Sequence, residues 1–152
     1  MRLAIIFCFG FFLFNTQILG QDKIQWSFDF NASRCLEAKA QIESGWHLYS
    51  AYLDPNLGPV PTAILLEKNK SVTLLDPWIE KGKLIHKFDP SFGAEMAYFE
   101  NEYTIFAPIF IKKPTTLKGE LTYMLCDQTR CLPPKSIAFE ISVSPLNTVK
   151  QN

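Results

Sequence analysis

Alternation of apolar and polar residues along short segments most restricts the fold of this sequence. In Ser136–Val143 the apolar side chains Ile137, Phe139, Ile141 and Val143 occupy every second position. A period of two places alternate side chains on opposite faces of a β-strand, whereas an amphipathic helix needs a period of 3.6 residues. No stretch of the sequence keeps the helical period, so the chain is predicted to be all-β.

Eight or nine segments have this alternating or aromatic-rich character. They are Ile24–Phe30, Arg34–Ile42, Trp46–Ser50, Thr62–Glu67, Val72–Leu75, Lys83–Phe88, Tyr103–Ile111, Lys118–Cys126 and Ser136–Val143. Asp-Pro pairs beginning at Asp54, Asp76 and Asp89 lie between them, and both residue types favour turns. Pro108 predicts a bulge or an edge position for its strand. Short strands with frequent turns favour a sandwich of two antiparallel sheets over a βαβ architecture.

The first 20 residues have the organisation of a secretory signal peptide. Arg2 precedes the apolar run Leu3–Phe14, and the small residue Gly20 precedes a polar stretch. The run is 12 residues long, shorter than the roughly 20 residues of a membrane-spanning helix, although an uncleaved anchor is the alternative. We expect residues 1–20 to be removed, residues 21–143 to form one exported domain without a membrane span, and residues 144–152 to be a flexible tail.

Charge and motifs exclude several classes of function. The chain has 15 Lys+Arg and 15 Asp+Glu, whereas nucleic-acid binding needs clustered basic residues, so no nucleic-acid partner is expected. The sequence contains no glycine-rich phosphate loop and neither an H-E-x-x-H nor a G-x-S-x-G motif. We therefore expect no cofactor and no metal.

The spacing of two cysteines is the strongest chemical signal. Cys126 and Cys131 are separated by four residues, and an exported protein can join them in a disulfide. A loop this short stabilises a fold by only roughly 2 kcal/mol, which favours a redox role over a structural one. An inert clip across a hairpin fits the same spacing. Cys35 is left unpaired, and a free cysteine is usually buried.

The residues beside the two sulfur atoms differ in charge. Arg130 precedes Cys131 and favours its thiolate, whereas Asp127 follows Cys126 and opposes ionisation there. Cys131 is therefore the predicted nucleophile.

Three stretches resemble the N-terminal periplasmic domain of the DsbD-type thiol:disulfide interchange protein. The most specific is Tyr123–Ile141, in which a strand, the two cysteines, an apolar residue and Pro-Pro precede an alternating strand. Ser44–Tyr49 is similar to a Gly-aromatic-x-Leu-Tyr strand of that family, and Phe92–Tyr98 resembles the segment after its cap loop. The resemblance extends over about residues 24–143, nearly the whole predicted mature chain.

This resemblance implies an immunoglobulin-like β-sandwich whose cysteine pair relays electrons in the periplasm, as a protein-disulfide reductase does. The expected partners are thioredoxin-like exported proteins and a membrane electron-transfer protein. By position, Cys131 corresponds to the attacking cysteine of the family and Cys126 to its resolving partner. Exchange of this kind proceeds through a mixed disulfide and needs an exposed thiolate.

The same resemblance predicts the surroundings of the pair. A cap loop around residues 88–93 is expected to shield the disulfide, with Phe92 or Phe88 as the aromatic cap and Asp89 as an acidic residue. His47 and Tyr49, at i and i+2 of one strand, share a face and are expected to line the site with Arg130. His47 stands where the family often has Tyr, which predicts pH sensitivity near neutrality.

A second class of function stays open. The domain can also be a non-catalytic immunoglobulin-like interaction module in which the disulfide only clips a hairpin. In that case the proline-rich loop Asp54–Pro61 is the candidate contact surface.

Overall fold

A computed structural model of the chain describes residues 23–90 and 92–145. The predicted signal peptide, residues 1–20, and most of the predicted tail, residues 144–152, lie outside the described residues. In the part that is described, no helix is long and apolar enough to cross a membrane.

Twelve β-strands and one short 3₁₀ helix, Pro55–Leu57, make up the described residues. In chain order the strands are β1 (Ile24–Phe30), β2 (Cys35–Ile42), β3 (His47–Tyr49), β4 (Ala63–Leu66), β5 (Val72–Leu74), β6 (Ile79–Lys81), β7 (Leu84–Asp89), β8 (Ala94–Glu100), β9 (Glu102–Ile111), β10 (Thr115–Tyr123), β11 (Leu125–Cys126) and β12 (Lys135–Val143).

The strands pair only in antiparallel fashion within the described ranges. One sheet has the order β1-β2-β9-β5, with β6 also paired to β9. Facing it are two smaller groups, β12-β10-β4 and β11-β3-β8-β7. They are connected where β10 passes into β11 at Met124. The prediction of an all-β fold with antiparallel sheets is confirmed.

The main core lies between the first sheet and the two smaller groups. On β2 the alternate residues Leu36, Ala38, Ala40 and Ile42 are 0–6 % exposed, as their period of two predicts. They pack with apolar side chains from β9 and from the facing strands. Burial of these side chains is the main force that holds the layers together.

One carboxylate joins the two layers. Glu80 on β6 accepts hydrogen bonds from Ser50 Oγ (2.6 Å), from the Ala51 amide (2.7 Å) and from the Tyr103 hydroxyl (2.6 Å). Burial, together with the negative charge of Glu80, raises the pKa of Tyr103, so that hydroxyl stays protonated and can donate. The bonds from Ser50 and Ala51 fix the chain directly after β3.

Two details of the strand prediction are wrong. The strands β6 and β8 are absent from it, and the predicted strand Lys118–Cys126 is divided at Met124 into β10 and β11. The prediction of an edge position for Pro108 is also wrong, because β9 has partners on both sides.

The partner strands explain why Pro108 is tolerated inside a sheet. On one side of β9, pairing with β6 ends at Phe106 and pairing with β5 begins at Ile109. Pro108 therefore lies between two partner strands, where its missing N–H breaks no ladder. Its carbonyl still accepts a hydrogen bond from the Leu75 amide at 3.0 Å.

Candidate functional site

Alternation along β3 and β11 separates core residues from site residues. Leu48 and Leu125 are opposite each other and point into the main core. His47 is opposite Cys126 on β11 and opposite Glu100 on β8, and Tyr49 is opposite Tyr98. Because neighbours in a strand point to opposite faces, His47, Tyr49 and Cys126 share the outer face.

A tight hairpin connects Cys126 to Cys131, and the two residues form a disulfide with a Cα–Cα distance of 4.0 Å. They are directly opposite each other as a single antiparallel bridge. The flanking backbone bonds run from the Asp127 amide to the Arg130 carbonyl (2.9 Å) and from the Leu132 amide to the Leu125 carbonyl (2.8 Å). The backbone ladder therefore holds the two sulfur atoms together.

The side chain of Asp127 organises the turn. Its Oδ1 accepts from the Thr129 amide (2.7 Å), the Thr129 hydroxyl (2.8 Å) and the Arg130 amide (2.9 Å). These hydrogen bonds, those from Thr129 first, lower the pKa of Asp127, so the carboxylate is charged at neutral pH. A side-chain oxygen that accepts from amides two and three residues ahead is typical of Asp in turns.

The two cysteines differ in their access to solvent. Cys126 is 1 % exposed and belongs to an outer apolar cluster with Tyr49, Leu53, Met96 and Tyr98. Cys131 packs against this cluster but is only half-buried. A reagent or partner therefore reaches the sulfur of Cys131 more easily than that of Cys126.

The aromatic rings of His47, Tyr49 and Tyr98 lie close together in the cleft that Cys126 also lines. The His47 ring centroid lies 4.4 Å from that of Tyr98 and 5.3 Å from that of Tyr49. His47 Nε2 is 3.4 Å from the Tyr49 hydroxyl oxygen. The His47 and Tyr49 side chains predicted to share a face thus contact each other.

Burial favours the uncharged forms of His47 and Tyr49. It lowers the pKa of His47, and the opposing charges of Glu100, Asp89 and Asp127 do not overcome it. Burial also raises the pKa of Tyr49 to about 12. The pH sensitivity expected of His47 is therefore displaced to the acid side of its usual range.

The structure distinguishes the two candidate cap aromatics. Phe92 packs against the outer apolar cluster that contains Cys126, whereas Phe88 is 61 % exposed. The amides of Phe92 and Gly93 both donate to the Asp89 carbonyl, at 3.3 Å and 2.8 Å. The turn thus places the Phe92 ring, rather than that of Phe88, against the cluster.

The Arg130 side chain contacts Trp46 and Asp127 at the edge of the hairpin. Its guanidinium carbon lies 5.9 Å from the Trp46 ring centroid, and its Nε lies 3.8 Å from Asp127 Oδ2. Both contacts keep its positive charge at the rim of the site, close in sequence to Cys131.

A cleft of about 460 Å³ contains all the predicted site residues: His47, Tyr49, Phe88, Asp89, Phe92, Cys126, Arg130 and Cys131. Met96, Tyr98 and Glu100 of β8 also line it, and the sequence analysis did not single them out. Their alternation with Phe99 along β8 is the signal that could have found them. In residues 23–90 and 92–145 no group of three His, Cys, Asp or Glu side chains could hold a metal ion.

The fold and the cleft define an all-β sandwich domain with a solvent-accessible cross-strand disulfide. The family model described as "Thiol:disulfide interchange protein DsbD, N-terminal" matches residues 15–142. The chain therefore belongs to the DsbD N-terminal domain family. A comparison with curated protein sequences gave no match.

Solved structures agree on the fold. The reduced DsbD N-terminal domain of Neisseria meningitidis has a TM-score of 0.60 at 18% identity, covering 80% of this chain and 86% of that one. The same kind of domain, in a structure of the complex between the DsbD N-terminal and PilB N-terminal domains of N. meningitidis, scores 0.58 at 17% identity, covering 87% and 95%. The N-terminal periplasmic domain of ScsB from Proteus mirabilis scores 0.55 at 16% identity, covering 82% of this chain and 49% of that one. The predicted immunoglobulin-like sandwich is confirmed.

Proposed function

We propose that this chain is an exported thiol:disulfide exchange domain of the protein-disulfide reductase type, working in the periplasm. Cys126 and Cys131 are its redox pair. The observation that carries the proposal is their unequal exposure: Cys126 is 1 % exposed, whereas Cys131 is half-buried at a cleft. A structural clip needs no accessible sulfur, whereas disulfide exchange needs one, and the cleft beside Cys131 leaves room for a partner.

In the reduced form, the Cys131 thiolate attacks one sulfur of the partner's disulfide. A mixed disulfide forms, and the partner's other sulfur leaves as a thiolate. The Cys126 thiolate then attacks Cys131 Sγ, forms the intramolecular disulfide and expels the partner's second thiolate. The partner gains two electrons, its thiolates take up two protons, and the cysteine pair is oxidised. The reverse sequence, with a reduced donor, restores the dithiol.

The surrounding residues support this sequence of steps. The charge of Arg130, held at the rim by Trp46 and Asp127, favours a thiolate at the adjacent Cys131. His47 and Tyr49, both uncharged at neutral pH, surround the buried Cys126 with polarisable rings and without a formal charge. Phe92 packs on the outer apolar cluster that includes Cys126, and we expect its ring to limit access to the disulfide.

The partners are proposed from the family. In N. meningitidis a DsbD N-terminal domain forms a complex with a PilB N-terminal domain, which supports a protein partner for this cleft as well. We propose thioredoxin-like exported proteins and a membrane electron-transfer protein as the donors and acceptors. The cleft has both signs of charge at its rim, Lys87 and Arg130 beside Glu100 and Asp127.

Trapping of the mixed disulfide tests the assignment. In a Cys35→Ala background, the reduced Cys126→Ala variant mixed with an oxidised thioredoxin-like protein should accumulate a covalent complex, because Cys131 attacks and nothing resolves it. The Cys131→Ala variant should give little complex, because its remaining sulfur is buried. Non-reducing electrophoresis and intact mass measure both. Equal trapping by the two variants would show that the roles are wrong.

The reduction potential separates exchange from the structural clip. An exchanging pair should equilibrate with glutathione or thioredoxin-like couples, whereas structural disulfides have potentials below about −300 mV. A potential in that range, together with no complex from either variant, leaves only the interaction-module function. The Cys35→Ala parent is the matched control, since it keeps the pair and removes the free thiol.

A further inference from the structure

The Phe92 ring rests directly on the backbone of a glycine in another loop. Gly58 follows the 3₁₀ helix Pro55–Leu57 and has a φ of +116°. A Cβ built at Gly58 would lie 2.7 Å from Phe92 Cδ1 and 3.0 Å from Phe92 Cε1. Contacts below 3.0 Å are not tolerated, so only a residue without a side chain allows the ring to lie where it does.

The loop around Gly58 is fixed before the glycine. Asp54 Oδ1 accepts from the Asn56 amide at 2.9 Å, and the Asp54 carbonyl accepts from the Leu57 amide at 3.1 Å. Leu57 packs against the outer apolar cluster that contains Cys126. This side of the loop is therefore attached to the cluster on which Phe92 lies.

The loop is also fixed after the glycine. The Val60 amide donates to Met124 Sδ at 3.4 Å, directly before β11. The Thr62 hydroxyl and amide both donate to the Tyr49 carbonyl, at 2.7 Å and 3.3 Å. Gly58 is thus held in place by β3 and by Met124, the residue directly before β11.

We propose that Gly58 is a positioning residue that seats the Phe92 ring and thereby controls access to the Cys126–Cys131 disulfide. The inference rests on the proposed function, because Phe92 matters only if the pair reacts. It assigns the proline-rich loop Asp54–Pro61 to the redox site itself instead of to a separate contact surface. Gly58 acts only through the ring of Phe92 and touches neither sulfur.

A methyl group at Gly58 would collide with the ring and would also be strained at a φ of +116°, and both effects should displace the ring from its place on Gly58. The loop has backbone and side-chain anchors on both sides of the glycine, whereas Phe92 is half-buried on a short turn held by the Asp89 carbonyl. Overpacking is relieved by the part that yields most easily. Gly58→Ala should therefore expose the disulfide while leaving the strands in place.

The rate at which dithiothreitol reduces the native disulfide measures this exposure. A thiolate of the reagent attacks the protein disulfide, and its second thiolate closes the six-membered cyclic disulfide, so that the reagent is oxidised and the pair becomes a dithiol. Acid quenching, alkylation and mass spectrometry then count two additional thiols. We expect Gly58→Ala to accelerate reduction about tenfold, as displacement of a packed ring would.

A double-mutant cycle with Phe92→Ala identifies the route of the effect. Phe92→Ala alone should accelerate reduction to a similar extent, and Gly58→Ala should add nothing in the Phe92→Ala background. If Gly58→Ala accelerates reduction equally with and without the ring, or leaves the rate unchanged in the presence of the ring, the proposal is wrong. Neither outcome needs a protein partner, so the proposal can fail while exchange with partners is still observed, and the reverse.

Gly82→Ala is the matched control for general destabilisation. Gly82 also has a positive φ, +144°, and its Cβ would lie 3.0 Å from Phe99 Cδ1. Phe99 belongs to the main core and not to the outer cluster. Gly82→Ala should lower the melting temperature without accelerating reduction, whereas acceleration equal to that of Gly58→Ala would overturn the positioning role.

Discussion

The two faces of the β11-β3-β8-β7 group are built from the same strands but have opposite character. On the inner face, Leu48, Phe99 and Leu125 are 0–2 % exposed and belong to the main core. On the outer face, His47 and Cys126 share their rows with charged or titratable groups and border a cleft. A shift of one residue along a strand separates the two environments.

This small domain separates the residues that stabilise the fold from those that line the cleft. The inner face packs against the first sheet, and its apolar burial stabilises the fold. The outer face is covered by the loop that carries Leu57 and by the turn that carries Phe92, and burial displaces the pKa values of His47 and Tyr49. We therefore expect substitutions on the inner face to change the free energy of unfolding, and those at the outer rim to change reactivity.

Leu48→Ala should have the largest effect on stability. Leu48 is fully buried between the site residues His47 and Tyr49, and loss of a buried Leu side chain costs about 2–5 kcal/mol through lost transfer energy and a cavity. Denaturant unfolding followed by tryptophan fluorescence measures the change. The outer-rim control is Phe88→Ala, which removes a larger but 61 % exposed side chain and should change stability by less than about 0.5 kcal/mol. Equal losses would contradict the division of roles between the two faces.

Glu80→Gln should have the next largest effect, because it weakens the connection between the layers. The carboxylate accepts three short hydrogen bonds, and an amide can replace only one of its two oxygens. We expect a loss of about 1.5–3 kcal/mol, typical of hydrogen bonds to charged groups. Thermal and denaturant unfolding measure it.

Glu140→Gln is the control for that change. Glu140 pairs with Lys118 at 2.6 Å, but both side chains are exposed. Such surface pairs contribute about 0–1 kcal/mol. A loss as large as that of Glu80→Gln would mean that burial between the layers is not the reason for the effect.

The fold was predictable because the signals that determine it are local. Alternation in β2 and β12 identified core positions such as Leu36, Ala38 and Phe139, and these are buried. The short strand β6 carries too few residues for a period to be recognised, and β11 was predicted only as the end of a longer strand. Pro108 misled the prediction because its tolerance depends on where β6 ends and β5 begins, which local sequence does not encode.

The sequence predicted eight of the residues that line the cleft but not their geometry, and their roles in the reaction stay a prediction. All eight line one cleft. They could be predicted because the cysteine pair and the His47–Tyr49 strand are recognisable motifs. The choice between Phe88 and Phe92 depends on which ring meets Gly58, a contact across 34 residues of sequence. The contribution of Tyr98 depends on the register of β8 against β3. Such long-range pairings are determined only by the assembled sheet.

Acidification should have the smallest effect on stability and should act through His47. Burial lowers the pKa of His47 in the folded chain below the usual 6.5. At pH values between that lowered pKa and 6.5, the unfolded chain therefore binds a proton that the folded chain does not. The stability associated with neutral His47 is therefore complete above pH 6.5 and is lost as the pH falls through the lowered value. The effect is limited because Glu100, Asp89 and Asp127 favour the charged ring.

Imidazole resonances in two-dimensional NMR report the titration of His47, and denaturant midpoints from pH 5 to 8 report the stability. His47→Gln should remove the acid loss, whereas His86→Gln, at an exposed position on β7, should leave it unchanged. Titration of His47 above pH 6.5 would mean that the three carboxylates outweigh burial, and the outer face would then gain stability on acidification instead of losing it.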